Sequence, residues 1–172
     1  MGKLYFYYGT MGAGKTALAI NKAYEFKKRG IQTFVYVPSD AKTDKLSSRC
    51  GSTIEISNRD LRLVTKHSVL IVDEAQFLTQ DKVNTIRHLC TYKDVMAFCF
   101  GLLTTFKGKL FNGTKHIIEC ADTIREIPCM CENCKKKAIY NVRVSSETTL
   151  KVLEKDKYKS YCHMCYEKEN NF

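Results

Sequence analysis

Residues 9–16, Gly9-Thr10-Met11-Gly12-Ala13-Gly14-Lys15-Thr16, follow directly on the apolar run Leu4-Tyr5-Phe6-Tyr7-Tyr8. Gly9, Gly14, Lys15 and Thr16 stand at the spacing of a phosphate-binding loop. In such a loop the glycines let backbone N–H groups point inward at phosphate oxygens. A lysine at the position of Lys15 reaches the β- and γ-phosphates, and a hydroxyl at Thr16 can sit on Mg²⁺. A helix beginning at Lys15 turns its positive end toward the same anion. The chemistry to expect is binding of a nucleoside triphosphate.

A second group of chemically useful residues lies at Asp73-Glu74, directly after the apolar run Val69-Leu70-Ile71-Val72. The carboxyl end of a buried strand is where open α/β sheets place ligands. Asp73 there is suited to hold Mg²⁺, directly or through water. Glu74 can accept a proton from a nucleophile attacking the γ-phosphate.

The third group is made of sulfur. Of nine cysteines, Cys50, Cys90, Cys99 and Cys120 are scattered, while Cys129, Cys131, Cys134, Cys162 and Cys165 crowd the end of the chain. Cys131-x-x-Cys134 and Cys162-x-x-Cys165 each fit a metal-binding turn, and together their thiolates complete a closed, tetrahedral structural Zn²⁺ site. Cys129 competes with Cys131, but the two-residue spacing favours Cys131; His163 reads as a bystander. A closed site stabilises a lobe and performs no chemistry.

The elements that must position these groups alternate along the chain. Strands are expected at residues 4–8, 33–37, 53–56, 68–72 and 95–100, with helices at 15–29 and 82–90 and a short helical segment from Asn58. Residues 38–51 carry no periodicity and read as a long loop. Such alternation implies an α/β fold, a parallel sheet covered by helices on both faces. Near Ile127-Pro128 the texture changes to cysteines, lysines and short β-like runs at 138–144 and 149–153. The expected organisation is a P-loop nucleotide-binding domain over residues 1–127 and a small zinc-binding β lobe over 128–172. Lys135-Lys136-Lys137 reads as a solvated turn.

Composition narrows the classes. The 172 residues hold 28 Lys and Arg against 18 Asp and Glu, a formal charge of +10 that favours anionic partners such as nucleotides or nucleic acid. No apolar run approaches the ~20 residues needed to span a membrane. Without a signal-peptide pattern at the N-terminus, the sequence reads as cytoplasmic and its cysteines as metal ligands or buried thiols rather than a disulfide scaffold. On these residues alone, a P-loop ATPase whose zinc lobe grips nucleic acid remains an alternative to a small-molecule kinase, and so does a non-catalytic binding protein.

Taken in order, the motifs resemble the type II thymidine kinases, the cellular and bacterial type with a zinc-bearing C-terminal lobe. The resemblance covers nearly the whole chain. It rests on residues 9–16 with Met11 inside, Ser39-Asp40, Asp73-Glu74-Ala75-Gln76-Phe77, Gly101-Leu102 with Thr105-Phe106, and the zinc pairs with Asp156-Lys157-Tyr158 before the last of them. It implies an ATP-dependent transfer to the 5′-hydroxyl of thymidine, with deoxyuridine also accepted. Glu74 would be the general base. Residues 9–16, Asp73 and Gln76 would bind ATP, and Asp40 would join Thr16 and Asp73 around Mg²⁺. Met11, Phe77, Leu102 and Phe106 would line the base pocket, with Asn141 beside it. A lasso carrying Val152 and Tyr158 would cover the nucleoside. A homotetramer is implied, with no nucleic-acid or membrane partner.

The sequence also departs from that family's pattern. Leu103 stands where an Asp is usual, Lys42 where an Arg is, and Asn141 where a Thr lies near the thymine. Val152-Leu153-Glu154-Lys155 replaces a Gly-Gly pair in the lasso, which restricts its backbone choices. These departures bear on pyrimidine preference and leave the phosphate machinery untouched.

Overall fold

The run Val69-Leu70-Ile71-Val72 is buried along its whole length, which a strand manages only when both faces of its sheet are covered. The computed structural model, which describes residues 1–38, 44–57, 60–143 and 158–170, places it inside a five-stranded sheet, with a strand on either side. The strands are β1 (Leu4–Tyr8), β2 (Thr33–Tyr36), β5 (Val69–Val72), β6 (Met96–Gly101) and β7 (Thr123–Glu126), in the order β2-β5-β6-β1-β7. Every pairing is parallel.

Alternate residues of each strand feed opposite cores. Leu4, Phe6, Leu70, Val72, Ala97 and Cys99 join α2 (Gln80–Lys93) through Val83, Ile86, Leu89 and Cys90. On the other face Val35, Val69, Ile71, Phe98 and Phe100 pack on Ala19, Ile20, Ala23 and Phe26 of α1 (Lys15–Lys28). Both helices are amphipathic at the 3.6-residue period, and that stripe fixes which face each covers. Gly30, at φ 73, takes the chain out of α1 in the left-handed conformation that glycine adopts without penalty.

The expected strands and helices of the first hundred residues are present within a few residues of their expected ends, with differences elsewhere. Within the stretch read as a loop, β3 (Lys45–Ser47) pairs antiparallel with β4 (Thr53–Glu55). The pairing is closed by the Ser48 amide donating to Ser52 O (2.8 Å) and by Gly51 at φ 86. Strand β4 is the one expected at residues 53–56, whereas β3, mostly polar and exposed, gave no hydrophobic signal. Where a helical segment was expected after Asn58, the described residues form a single 3₁₀ turn at Leu61–Leu63, capped by Asp60. Helix α3 (Asn112–Cys120) was not anticipated, because Gly113 sits in its first turn, and neither was β7.

The C-terminal lobe is a two-stranded antiparallel ribbon of β8 (Tyr140–Arg143) and β9 (Tyr158–Tyr161), followed by α4 (His163–Asn170). The ribbon's second strand is thus residues 158–161, and the expected run at 149–153 lies outside the described residues. The lobe has its own small core of Cys131, Ala138, Tyr161, Cys162 and Cys165. Among the described residues no helix is long and apolar enough to cross a membrane.

Candidate active site

The loop after β1 closes on itself. Gly12 and Gly14 take φ values of 82 and 81, which no side chain adopts readily. A Cβ at Gly9 would lie 2.7 Å from Ile127 O, so that glycine serves close packing against the chain after β7. Lys15 Nζ donates to Gly9 O (3.2 Å) and Thr10 O (2.8 Å), arching over the loop. α1 begins at Lys15, directly after the loop, and the positive end of a helix is the arrangement that receives phosphate.

β5 delivers the acidic pair to the same place. Asp73 is 1% exposed and accepts a 2.7 Å hydrogen bond from Thr16 Oγ1. Burial, and after it the neighbouring Glu74, push the Asp73 carboxyl up to about 6, against the pull of that hydrogen bond. Glu74 sits at φ 53, a left-handed conformation unusual for a residue with a Cβ. Such backbone strain costs about 1–3 kcal/mol and persists where surrounding contacts impose it. Here those contacts run through Gln76, which is buried: its Nε2 donates to Glu74 Oε2 (2.6 Å), and its Oε1 accepts from the Leu102 amide (3.0 Å). Gly101 makes room for this, since a Cβ there would lie 2.8 Å from Gln76 Oε1. Gly113 does the same on the other side, because its Cβ would meet Gln76 O at 2.5 Å.

A cavity of about 520 Å³ opens between these groups. It gathers Met11, Gly12, Gly14, Lys15, Thr16, Asp73, Glu74, Gln76, Phe77, Leu102, Phe106, Asn141 and Tyr158 from the residues singled out in the sequence. Gly9, Thr10 and Ala13 complete the loop without lining the cavity. Phe77 meets Phe111 edge to face at 5.8 Å, and Arg143 lies over the rings of both Phe106 (5.3 Å) and Tyr158 (5.7 Å). Asn141, 4% exposed, spends its Oδ1 on the Met11 amide at 2.7 Å. Asp40 and Val152 lie outside the described residues.

Sequence reasoning missed one wall. Lys45, Leu46, Ser47, Ser48, Arg49 and Cys50, from β3 and the turn after it, face the cavity from the side of α1. No motif marks them; the turn glycine at Gly51 was the one available signal. Phe111, also unpredicted, lines the cavity from the start of α3.

The cysteine pairs converge. The sulfurs of Cys131, Cys134, Cys162 and Cys165 all lie within 4.8 Å of one another. A tetrahedral Zn²⁺ with bonds of about 2.3 Å needs its sulfurs about 3.8 Å apart, so the cluster fits that ion with small adjustments. Burial works against ionisation of Cys131, but the amides of Cys162, Cys134 and Asn133 outweigh it and bring that thiol down to about 6. Amides aimed at a sulfur are what a metal-bound thiolate uses as its outer support. Cys129 stands outside the cluster, with its thiol directed to Met130 O. His163 is exposed and tilts against Tyr140 instead.

Comparison with known proteins agrees with this geometry. The chain is similar to a thymidine kinase of Rhodopirellula baltica at 36% identity, covering 84% of this chain and 75% of that protein. A thymidine kinase of Mesorhizobium japonicum is 32% identical over 98% of this chain and 93% of its own length. One from Haemophilus influenzae is 29% identical over 98% of both. The family model described as thymidine kinase matches residues 2–166, and the chain belongs to the thymidine kinase family.

Proposed function

We propose that the protein transfers the γ-phosphoryl group of ATP to the 5′-hydroxyl of thymidine, and of deoxyuridine, giving the nucleoside 5′-monophosphate and ADP. The observation that carries this reading is the shared cavity. The phosphate-binding loop, the Glu74 carboxylate and the apolar surfaces of Phe77, Leu102 and Phe106 all face it, so donor, base and acceptor pocket meet in one space.

The chain's own groups divide the work. Lys15 and the loop amides hold the β- and γ-phosphates and take up charge as it shifts toward ADP. Glu74, steadied by Gln76, accepts the 5′-hydroxyl proton while the new O–P bond forms and the bond to the β-phosphate oxygen breaks. Thr16 and Asp73, with Asp40, would hold Mg²⁺, which when bound neutralises the β- and γ-oxygens. Phe106 offers a ring face to the pyrimidine, and Met11, Phe77, Leu102, Asn141, Val152 and Tyr158 complete the nucleoside's surroundings. The four-cysteine cluster would hold structural Zn²⁺. The N-terminal 1–127 and C-terminal 128–172 parts then act as nucleotide-binding domain and substrate-covering lobe. Reduced thiols at that cluster suit the cytoplasm, and the homotetramer implied by the resemblance is open to sedimentation analysis.

An assay of ATP, Mg²⁺ and a panel of thymidine, deoxyuridine, deoxycytidine and adenosine tests the reading. It predicts monophosphate product from the first two nucleosides, and loss of product with Glu74→Gln or Lys15→Ala. Turnover of ATP with no phosphorylated nucleoside would contradict it.

A further inference from the structure

Met11, inside the phosphate-binding loop, is gripped at both ends of its backbone by the C-terminal lobe. Its N–H donates to Asn141 Oδ1 at 2.7 Å, and its carbonyl accepts from Ser160 Oγ at 2.5 Å. Asn141 and Ser160 are cross-strand partners on the β8–β9 ribbon, and both are nearly buried, at 4% and 1% exposure. Ser160 is locked in turn by Glu132: its amide donates to Glu132 Oε1 (2.9 Å), and its carbonyl accepts from the Glu132 amide (2.9 Å).

The segments making this grip also carry the metal-binding thiols. Glu132 follows Cys131, and Ser160 lies just before Cys162 in the chain. Tyr166, next to Cys165, stacks on Tyr140 at 4.2 Å and donates its hydroxyl to Phe106 O at 3.3 Å. Within the loop, Lys15 Nζ holds Gly9 O and Thr10 O and the Ala13 amide donates to Thr10 O (3.2 Å), while Met11 is the residue held from the C-terminal lobe. Gly12 and Gly14, on the far side of Met11, have nothing within 4 Å of where a Cβ would stand. A glycine-rich segment must be ordered before it can present its amides, and that ordering weakens binding unless it is already done.

We propose that Ser160 and Asn141 are positioning residues that tie metal loading of the cysteine cluster to the shape of the phosphate-binding loop. Nucleotide affinity then depends on a metal that never touches the nucleotide. The inference rests on the ATP-binding reading above. A cluster bridged by metal holds residues 131–134 and 162–165 together, keeps Glu132 on Ser160, and keeps Ser160 on Met11. Without the bridge the ribbon loosens, Met11 is released, and the loop must be ordered by the nucleotide itself.

The test uses the full chain, metal-loaded and after chelation, as parent and as Ser160→Ala. Metal content, calorimetric affinity for MgATP, and hydrogen exchange of residues 9–16 are measured on each. Metal-loaded Ser160→Ala is expected to keep its metal and the protection of β5 and β6. Its ATP affinity should fall about five- to tenfold, the effect of losing one well-placed hydrogen bond, and exchange at residues 9–16 should quicken. Chelation should do the same to the parent and add less to Ser160→Ala. Unchanged ATP affinity and loop exchange in the loaded variant would overturn the proposal, as would chelation weakening both proteins by the same factor. A loaded parent that binds no ATP would instead refute the ATP reading, and loop exchange would still report the coupling. If Ser160→Ala does not fold, chelation of the parent decides. Quickened exchange at residues 9–16 with β5 and β6 still protected supports the coupling, and unchanged loop exchange refutes it.

Discussion

The Thr16 hydroxyl donates a 2.7 Å hydrogen bond to Asp73 Oδ2, joining the start of α1 to the end of β5. Two proposed Mg²⁺ ligands from distant parts of the chain are therefore in contact.

Asp73 makes the site sensitive to pH. Its carboxyl is raised to about 6 from an ordinary 3.8 by burial and then by Glu74. A carboxyl raised in the folded state stabilises the metal-free fold fully below its unfolded value, and that contribution is lost as pH rises through the folded one. A rise from 3.8 to about 6 corresponds to about 3 kcal/mol. Urea unfolding of metal-free protein should therefore show Asp73→Asn more stable than the parent at pH 7.5, with the advantage shrinking as pH falls below about 6. Mg²⁺ affinity of the parent should decline over the same window, as the carboxyl is protonated.

Gln76 is expected to matter for turnover more than for nucleotide binding. It holds Glu74 on one side and the Leu102 amide on the other. A hydrogen bond to a charged group contributes about 1.5–3 kcal/mol, so Gln76→Ala should lower kcat by roughly 10- to 100-fold. The dissociation constant for MgATP, measured alongside, should change far less.

The two glycines packed against Gln76, Gly101 and Gly113, should separate activity from stability. Gly101→Ala sets a methyl group 2.8 Å from Gln76 Oε1, which can move, and 3.1 Å from the Gln76 backbone N, which must give by only a few tenths of an ångström. That variant should fold and lose activity. Gly113→Ala meets the backbone oxygens of Gln76 and Leu78 at 2.5 and 2.7 Å, which cannot move cheaply. It should lose about 1–3 kcal/mol of stability by overpacking, read from thermal or urea melts.

For the metal cluster the discriminating pair is Cys129 and Cys131. Cys131→Ser should abolish stoichiometric zinc binding and expose the lobe to proteolysis, whereas Cys129→Ser should retain one zinc per chain. Elemental analysis of the two purified variants reads the difference directly.

Much of this arrangement was legible in the sequence. Residues 9–16, Asp73-Glu74 and the two Cys-x-x-Cys pairs depend on local spacing, and β1, β5 and β6 on buried apolar runs, so both kinds of signal survive in one dimension. Strand β4 was legible at residues 53–56, but β3 and its pairing were not, because β3 is short and mostly polar and the turn rests on serine hydrogen bonds around Gly51. Helix α3 hid behind Gly113, whose role is a close approach to Gln76 that only the fold reveals. Asn141 was read beside the substrate from a resemblance, and it lines the cavity; that its oxygen also holds the Met11 amide was not foreseen. A contact across 130 residues leaves no trace in local pattern.

Thymidine phosphorylation by the parent and by Glu74→Gln, with MgATP binding measured on both, probes the proposed reaction at its base. Thymidine monophosphate and ADP are expected in equal amounts from the parent. At least about 100-fold less product is expected from Glu74→Gln, the usual scale of a lost general base, with ATP still bound. Undiminished turnover in Glu74→Gln, or no phosphorylated nucleoside from a parent that binds ATP, would contradict the proposed reaction.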